Sequence, residues 1–313
     1  MAENARRRIL VTGAAGQVGW ELLRTLQPLG EVIATELAFP AGQTGLAQRA
    51  LDLTDPDAIR ALLRELRPQL IINAAAHTAV DQAEDDIDLA MAINAVAPGV
   101  LAEEAKRYGA ALVHYSTEYV YDGAKTGVYE ETDTPNPLSV YGRSKLAGEQ
   151  AIQQVDGAHL IFRTSWVYGA RGKNFLLTIL RLARERPELN VVADQVGAPN
   201  WSRLLAEATA QALATQLLGM DGRWEAVRER LKAVSGLYHL SASGSASWCD
   251  FARQIVSLAE LPCHVAGITT AQYPLRAPRP LNSRLNTNRF AQTFGLVLPA
   301  WDEALRLCMT EMQ

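Results

Sequence analysis

Near the start of the chain, a β-like run breaks into a glycine-rich turn and then into a helix-like segment. Arg8–Thr12 is short, apolar and rich in β-branched residues, and Trp20–Leu26 has helical periodicity. Between them lie Gly13, Gly16 and Gly19, each three residues from the next. The first glycine permits a tight turn, the second lets the backbone approach a pyrophosphate, and the third lets helix and strand pack closely. This order of elements predicts a dinucleotide-binding unit, whereas the glycine triplet alone would be weak evidence.

Apolar strand-like runs alternate with helix-like segments through the first half of the chain. These runs lack a polar/apolar alternation, which is typical of parallel strands buried on both faces. The pattern predicts an α/β fold, a doubly wound parallel sheet of the Rossmann type with a smaller C-terminal substrate lobe. The predicted strands are Arg8–Thr12, Glu31–Glu36, Gln69–Asn73, Ala110–His114 and His159–Arg163, and the predicted helices include Asp57–Arg67, capped by Thr54 or Asp55, and a helical region from Ile87 to Tyr108 that breaks near Pro98.

The character of the sequence changes after Gly169, where the strand-like runs become shorter and turns more frequent. At about 150 residues per domain, a chain of 313 residues predicts two domains or one large one. We predict a dinucleotide-binding domain over residues 1–165 and a mainly substrate-binding lobe over residues 166–313. The helix Ser202–Leu218 and the strand Gly236–Leu240 are expected to pack back onto the first domain.

The overall composition argues against several other classes of protein. The net charge of −4 and the pI of about 5.8 lack the basic bias of a sequence-independent nucleic-acid binder. The sequence has no run of 18 apolar residues, so we expect no membrane-spanning segment. Cys249, Cys263 and Cys308 have no metal-ligand spacing, and an odd, sparse set of cysteines fits a reducing compartment. We therefore expect a cytoplasmic protein.

A tyrosine and a lysine four residues apart, Tyr141 and Lys145, are the main signal for chemistry. Residues i and i+4 share one face of a helix, and an ammonium favours the phenolate, so Lys145 is expected to lower the pKa of Tyr141. Ser116 or Thr117, just after a predicted strand, would offer a hydroxyl to the same reacting oxygen. Alone, the tyrosine and lysine would more often be a solvated pair on an exposed helix.

Acidic and small residues follow other predicted strands, where ligands bind in folds of this type. Glu36 ends the second strand, and a carboxylate there typically holds the adenosine ribose and repels a 2′-phosphate, which favours NADH. The alternative for Glu36 is a solvated acid at a strand end. Three alanines, residues 74–76, would let a cofactor lie across the strand ends, and His77 after them is expected to be structural.

Five cationic residues in polar loops of the second half would bind a diphosphate if they converge: Arg171, Lys173, Arg276, Arg279 and Arg284. Taken singly, each is more often a surface charge.

Seven stretches of the sequence resemble one enzyme family over nearly the whole chain. The glycine turn and the Tyr141/Lys145 pair resemble the extended short-chain dehydrogenase/reductase superfamily. The segments with tryptophan, Gly-Ala-Pro and Arg-Pro are more specific, and they resemble the dTDP-4-dehydrorhamnose reductases within that superfamily. The stretches are Gly13–Leu22, Asn73–Asp81, His114–Tyr121, Val140–Glu149, Phe162–Tyr168, Asp194–Pro199 and Arg279–Asn286.

The resemblance implies roles for individual residues. Tyr141 would be the general acid, Thr117 would bind the same oxygen, and Lys145 would hold the nicotinamide ribose. A cofactor, NADPH or NADH, would be held by Gly13, Gly16, Gln17, Val18 and Gly19 at the diphosphate, by Glu36, Asp52 and Leu53 at the adenosine, and by Ala74, Ala75, Ala76 and Thr78, with Tyr141 and Lys145, at the nicotinamide. The predicted substrate-binding residues are Thr117, Glu118, Trp166, Asn174, Arg279 and Asn282.

Two positions depart from the family pattern. Glu118 stands where the family usually has aspartate, so its side chain is one methylene longer. Some members are described with a Mg²⁺ held by glutamates. Glu21 and Glu311 match two such positions, but Arg203 matches the third. A cation in a ligand position argues against this metal site and against any dimer that it would bridge, so we predict no metal ligands.

The expected reaction is the NAD(P)H-dependent reduction of the C4 ketone of dTDP-4-dehydro-6-deoxy-L-mannose (dTDP-4-dehydrorhamnose) to dTDP-L-rhamnose, a step in nucleotide-sugar and polysaccharide-precursor biosynthesis. One alternative is a nucleotide-sugar epimerase or dehydratase with tightly bound NAD. Another is a non-catalytic regulatory subunit of the methionine adenosyltransferase type, against which the intact Thr117, Tyr141 and Lys145 argue. The expected partner is the dTDP-sugar, with no nucleic acid and no membrane, and the chain is expected to be a monomer or homodimer.

Overall fold

Thirteen strands form in the part of the chain that the computed structural model describes, residues 6–39, 47–219 and 223–312. They are β1 Arg8–Thr12, β2 Glu31–Glu36, β3 Ala47–Ala50, β4 Leu70–Asn73, β5 Ala111–Thr117, β6 Ala158–Thr164, β7 Val167–Tyr168, β8 Glu188–Val192, β9 Val196–Gly197, β10 Asn200–Trp201, β11 Gly236–His239, β12 Ala246–Ser247 and β13 His264–Ile268.

The central sheet contains seven of these strands in the order β11-β6-β5-β4-β1-β2-β3. All neighbours are parallel, and β11, from the second half of the chain, pairs with β6 so that Gly236 faces Leu160. The chain builds the sheet in one direction from β1 to β3 and in the other from β4 onward. The carboxyl ends of β1 and β4 therefore frame the crevice in which ligands bind in open parallel sheets. The predicted α/β doubly wound class is confirmed.

Helices cover both faces of the sheet. The α-helices in the described part of the chain are α1 Gln17–Thr25, α2 Pro56–Leu66, α3 Ile87–Met91, α4 Ala97–Tyr108, α5 Val140–Val155, α6 Phe175–Glu185, α7 Ser202–Leu217, α8 Trp224–Ala233, α9 Trp248–Leu258, α10 Asn288–Phe294 and α11 Trp301–Glu311. Alternate strand residues serve opposite faces, since Ile9 packs with α1 and α7 whereas Leu10 packs with α2 and α4. Burial on both faces explains why the strand sequences are continuously apolar.

The structure corrects two details of the predicted secondary structure. The predicted break near Pro98 is wrong, because the chain stays helical from α3 to α4 through a π-helical segment, Ala92–Val96. Pro98 lies in the first turn of α4, where a missing N–H is tolerated. Of the two predicted caps for α2, Asp55 is the one used, accepting from the N–H groups of Asp57 and Ala58.

A third apolar cluster forms the core of the C-terminal region. It is built from α6, α9 and α11 and from the short strands β8 and β13, which pair in parallel. Two further two-stranded pairs, β7 with β10 and β9 with β12, lie in the same region. The division at residue 165 into a cofactor domain and a substrate lobe stays a prediction.

In the described part of the chain, no helix combines the length and the apolar character that a bilayer crossing would need.

Candidate active site

The glycine turn between β1 and α1 makes contacts that only glycine allows. Gly13 has a φ of +67°, and a Cβ atom there would lie 2.6 Å from the Cα atom of Ala75. A Cβ atom at Gly19 would lie 2.0 Å from the carbonyl oxygen of Gly13. Gly16 begins α1 without a side-chain cap, which leaves the first N–H groups of the helix open to an anion. The turn has the geometry of a diphosphate site.

Two adjoining cavities at the carboxyl ends of β1, β2 and β4 share four lining residues, Gly13, Glu36, Ala75 and Ala76. Together they form one cleft. The cleft brings together all the predicted cofactor residues except Gly19, which packs behind the turn. Asp52 and Leu53 line the first cavity. The second cavity is lined by Gly16, Gln17, Val18, Ala74, Thr78, Tyr141 and Lys145.

Hydrogen bonds hold the two acids of the cleft in place. One carboxylate oxygen of Glu36 accepts from the backbone N–H of Ala15 at 3.0 Å, so the acid is tied to the glycine turn. Asp52 accepts from the hydroxyl and the N–H of Thr54, which lowers the pKa of Asp52. Both carboxylates are thus positioned before any ligand enters.

Tyr141 and Thr117 meet where the first turn of α5 packs against the end of β5. Ser139 caps α5 by accepting from the N–H of Gly142 at 3.1 Å, which fixes the start of the helix. Gly142 allows a close approach, because a Cβ atom there would lie 2.2 Å from the carbonyl oxygen of Tyr119. The Thr117 hydroxyl lies near enough to the Tyr141 phenol to lower its pKa.

The pKa of Tyr141 is raised, not lowered as the sequence predicted. Burial is the main cause, and the nearby Glu118 carboxylate raises the pKa further, while the Thr117 hydroxyl lowers it. The expected effect of Lys145 is wrong for this structure, because the Lys145 ammonium donates to the carbonyl oxygen of Tyr115 at 2.6 Å and lies 3.2 Å from Nε2 of His114. Tyr141 is consequently a protonated phenol at neutral pH, which suits a proton donor.

Lys145 is fully buried, and burial lowers its pKa to about 8. Glu149, one helical turn further along α5, acts in the opposite direction and raises it. Glu149 belongs to a buried network that sequence reasoning missed. It accepts from Ser116 at 2.5 Å and forms an ion pair with Arg163 at 2.5 Å. The i+4 spacing of Lys145 and Glu149 and a charge inside the apolar run of β6 were the signals available in the sequence.

A second, apolar cavity of about 360 Å³ lies on the C-terminal side of the cleft. Tyr119, Trp248 and Arg279 line it. Arg279 is tied to Asp81 by an ion pair of 2.6 Å, and its guanidinium lies 5.9 Å from the centre of the Tyr119 ring. The cavity has the aromatic walls and the single cation that a base and a phosphate require.

Trp166 stands beside this cavity and is held in an unusual conformation. Its φ is +44°, and its ring stacks on Trp248 with a centroid distance of 3.7 Å and an interplanar angle of 10°. Gly197 gives it room, since a Cβ atom there would lie 2.8 Å from the indole. Trp248 was missed in the sequence because no local spacing connects it to Trp166.

The other predicted substrate residues are engaged elsewhere. Asn174 caps α6 through Leu177 and donates to Oε1 of Gln17 at 3.0 Å, so it lies on the cofactor side. Asn282 is buried and donates to the carbonyl oxygens of Lys125 and Gly127. Substrate contacts for both residues stay predictions.

The five cationic loop residues do not converge. Arg171 stacks on the Trp20 ring, Arg276 pairs with Asp85, and Arg284 donates to the carbonyl oxygen of Thr126. Only Lys173 lines the cofactor cleft and only Arg279 lines the apolar cavity. His77 makes backbone hydrogen bonds with Asn94, in keeping with a structural role.

The residues at the expected magnesium position do not fit that ion. Arg203 lies between the two glutamates, with its Nε atom 3.3 Å from Glu21 and an ion pair to Glu311. Arg24 also pairs with Glu21, at 2.8 Å. A guanidinium between two carboxylates supplies the positive charge and fills the space that Mg²⁺ would need. Elsewhere in the residues that the structure describes, no group of three or more histidine, cysteine or acidic side chains could hold a metal.

We expect metal chelation to leave the melting temperature unchanged, because Arg203 already bridges the two glutamates. The measurement is thermal unfolding with EDTA and with added Mg²⁺. The matched variant is Arg203→Glu, which should unfold at lower temperature and regain stability when Mg²⁺ is added. A wild-type melting temperature that falls with EDTA would contradict this assignment.

Known proteins are similar to this chain over almost its whole length. The family model for the RmlD substrate binding domain matches residues 7–313. A dTDP-4-dehydrorhamnose reductase of Burkholderia thailandensis is 45% identical over 315 residues, which cover 97% of this chain and 99% of that protein. The dTDP-4-dehydrorhamnose reductase of Escherichia coli K12 is 44% identical over 310 residues, or 97% of each chain.

A solved structure of an enzyme with the same name is also similar to this chain. The crystal structure of dTDP-4-dehydrorhamnose reductase from Bacillus anthracis, in complex with NADP, has a TM-score of 0.84 and 34% identity, and covers 98% of this chain and 99% of that one.

Proposed function

Because the chain belongs to the RmlD substrate binding domain family, we propose that it is an oxidoreductase that reduces the C4 ketone of dTDP-4-dehydrorhamnose to the alcohol of dTDP-L-rhamnose. NADPH or NADH is the reductant. One observation carries the proposal: Tyr141 and Lys145 line the same cleft as the glycine turn, with the Thr117 hydroxyl close to the Tyr141 phenol. The dinucleotide-binding cleft and the proton donor therefore belong to one site.

The cleft fits the cofactor on structural grounds. The open N–H groups of α1 and the side chains of Gln17 and Lys173 would hold the diphosphate. Glu36 and Asp52 would accept from the adenosine ribose, and Ala74, Ala75 and Ala76 leave room for the nicotinamide. The ammonium of Lys145, already at the cleft wall, would donate to the second ribose.

The bound cofactor supplies a hydride, a proton with two electrons, to C4 of the sugar. Tyr141 gives its phenolic proton to O4 as negative charge develops there, and solvent later returns a proton to the phenol. Thr117 donates a hydrogen bond to the same oxygen. Both groups act at the atom where charge appears in the transition state, which is where hydrogen bonds accelerate a reaction.

The substrate would extend from this centre into the apolar cavity. Tyr119 and Trp248 offer ring faces for the thymine base, and Arg279 offers the cation for the diphosphate. Trp166 would close over the sugar between the two cavities. We therefore assign residues 1–165 mainly to the cofactor and residues 166–313 mainly to the sugar nucleotide, in a monomer or homodimer.

We place the protein in the cytoplasm. The support is that Cys249, Cys263 and Cys308 are all unpaired thiols, as a reducing compartment would leave them.

A spectrophotometric assay tests the proposed reaction. The purified protein is mixed with NADPH or NADH and dTDP-4-dehydrorhamnose, and absorbance of the reduced nicotinamide is followed. Consumption stoichiometric with the sugar is expected. An epimerase or dehydratase would consume no external reductant, and a regulatory subunit would bind the cofactor without turnover, so either result would overturn the proposal.

Glu36 is expected to set the preference between the two cofactors. Glu36→Gln keeps an acceptor for the N–H of Ala15 but removes the charge that repels a 2′-phosphate. Removing about 1 kcal/mol of repulsion should raise kcat/KM for NADPH, relative to that for NADH, by about fivefold to tenfold. Steady-state kinetics with both cofactors measure the ratio, and an unchanged ratio would remove Glu36 from the adenosine site.

A further inference from the structure

Thr117 has one hydroxyl hydrogen, and in this structure that hydrogen is not directed at the substrate. The hydroxyl donates to a carboxyl oxygen of Glu118 at 2.8 Å and accepts from the N–H of Tyr119 at 3.2 Å. An ionised carboxylate can only accept hydrogen bonds. While Glu118 is ionised, Thr117 therefore has no hydrogen left for the substrate oxygen.

Glu118 is placed where its ionised form is disfavoured. It is 3% exposed and lies in a single 3-10 turn, Glu118–Val120, directly after β5. Burial raises its pKa to about 7, and the hydrogen bond from Thr117 acts in the opposite direction. Its carboxyl group therefore changes charge within the physiological pH range.

The phenols of Tyr119 and Tyr141 lie close enough to Glu118 for its charge to raise their pKa values, and Tyr119 in turn lies near the Arg279 guanidinium and the Asp81 carboxylate. Arg279 is engaged by Asp81 at 2.6 Å. No residue in the described part of the chain forms an ion pair with Glu118. Arg279, the cation beside Tyr119, is thus already engaged by another acid.

We propose that Glu118 works in its protonated form, in which its carboxyl donates to Thr117 and releases the Thr117 hydrogen to the substrate carbonyl. This inference rests on the reductase function proposed above. Glu118 is a positioning residue and keeps its own proton throughout, since Tyr141 supplies the proton that ends on O4. A neutral Glu118 also removes the negative charge that opposes ionisation of Tyr141.

The test compares the pH dependence of kcat/KM for the wild type and Glu118→Gln. The glutamine amide can donate to Thr117 at every pH, so it imitates the protonated acid. For the wild type, kcat/KM should fall above about pH 7 and be about tenfold below its plateau at pH 8. For Glu118→Gln the decline should begin only near the Lys145 pKa of about 8.

Two variants make the comparison specific. Glu84→Gln is the matched control, because Glu84 accepts from the N–H of Val140 at the start of α5 and lies outside the cleft lining. It should keep the wild-type profile. In a Thr117→Val background, Glu118→Gln should give no improvement at pH 8, since the effect passes through the Thr117 hydroxyl.

Several outcomes would overturn the inference. One is a decline of kcat/KM near pH 7 that is unchanged in Glu118→Gln. Another is a loss of turnover in that variant while cofactor binding stays intact. A third is an improvement of kcat/KM at pH 8 that persists in the Thr117→Val background. If Glu118→Gln does not fold, infrared spectroscopy of the wild type answers the question, because a protonated carboxyl band must disappear between pH 6 and 8 (roughly, for the pKa above). If the wild type consumes no reductant at any pH, the proposed reductase function itself is refuted. That outcome is distinct from a failure of the inference about Glu118, in which the wild type is active.

Discussion

Replacing Tyr141 with phenylalanine should lower kcat by about 10²- to 10⁴-fold, the range that a general acid contributes. The phenylalanine ring keeps the edge-to-face contact with Tyr119, at a centroid distance of 5.4 Å, so the pocket should survive. Only the proton for O4 is lost. The measurement is steady-state kcat with NADPH and the keto sugar, alongside cofactor affinity by fluorescence or calorimetry, which should stay within about twofold of the wild type.

The matched control for that experiment is Tyr238→Phe. Tyr238 is also a buried tyrosine, but its hydroxyl donates to the carbonyl oxygen of Val234, the residue that follows α8, and Tyr238 does not line the cleft. Turnover of this variant should be unchanged. If Tyr141→Phe kept more than about a tenth of wild-type kcat, the phenol would not be the proton donor.

Replacing Arg163 with methionine should lower the free energy of unfolding by about 3–5 kcal/mol, the cost of leaving one member of a buried ion pair alone. The Arg163 and Glu149 side chains are 3% and 2% exposed. Arg163 donates to both carboxylate oxygens of Glu149 and to the Tyr121 hydroxyl. Without it, Ser116 is the one side chain in the described structure that still donates a hydrogen bond to Glu149, so the carboxylate must become neutral or admit water. Denaturant unfolding followed by circular dichroism measures the loss.

Two variants separate this effect from a general loss of charge. Arg181→Met removes an ion pair with Glu185 whose members are 62% and 53% exposed, and it should cost less than about 1 kcal/mol. The double change Arg163→Met with Glu149→Leu should recover part of the stability, because neither member of the pair is left buried without the other. If Arg163→Met were as stable as Arg181→Met, the pair would have no stabilising role.

The parallel sheet could be predicted from the sequence because strands buried on both faces consist of runs of apolar and β-branched residues. The strand β3 lacks such a run. Its residues Ala47–Ala50 are mostly exposed and include Gln48 and Arg49, since an edge strand with one neighbour needs little burial. The helices α8, α10 and α11 were also not predicted. Their apolar residues repeat at helical spacing over only a few turns, and their positions depend on packing against residues far away in the sequence.

The site was predictable where its signals are local. The i+4 spacing of Tyr141 and Lys145 and the hydroxyls at the end of β5 follow from helix and strand geometry, and the structure brings Ser116, Tyr141 and Lys145 to one cleft. The pKa of Tyr141 was not predictable, because it depends on burial and on Glu118, and the direction of the Lys145 side chain depends on β5. The bridge made by Arg203 joins α1, α7 and α11, which no sequence spacing connects.

The parallel contact of Trp166 and Trp248 gives the protein a spectroscopic reporter of its own. Two indoles 3.7 Å apart with ring planes 10° from parallel share their electronic excitation, so near-ultraviolet circular dichroism and emission depend on their mutual orientation. Trp166 adjoins the proposed sugar position, and Trp248 lines the apolar cavity. A change in that signal on adding a nucleotide would therefore report that the ligand binds beside this tryptophan pair, without any attached dye.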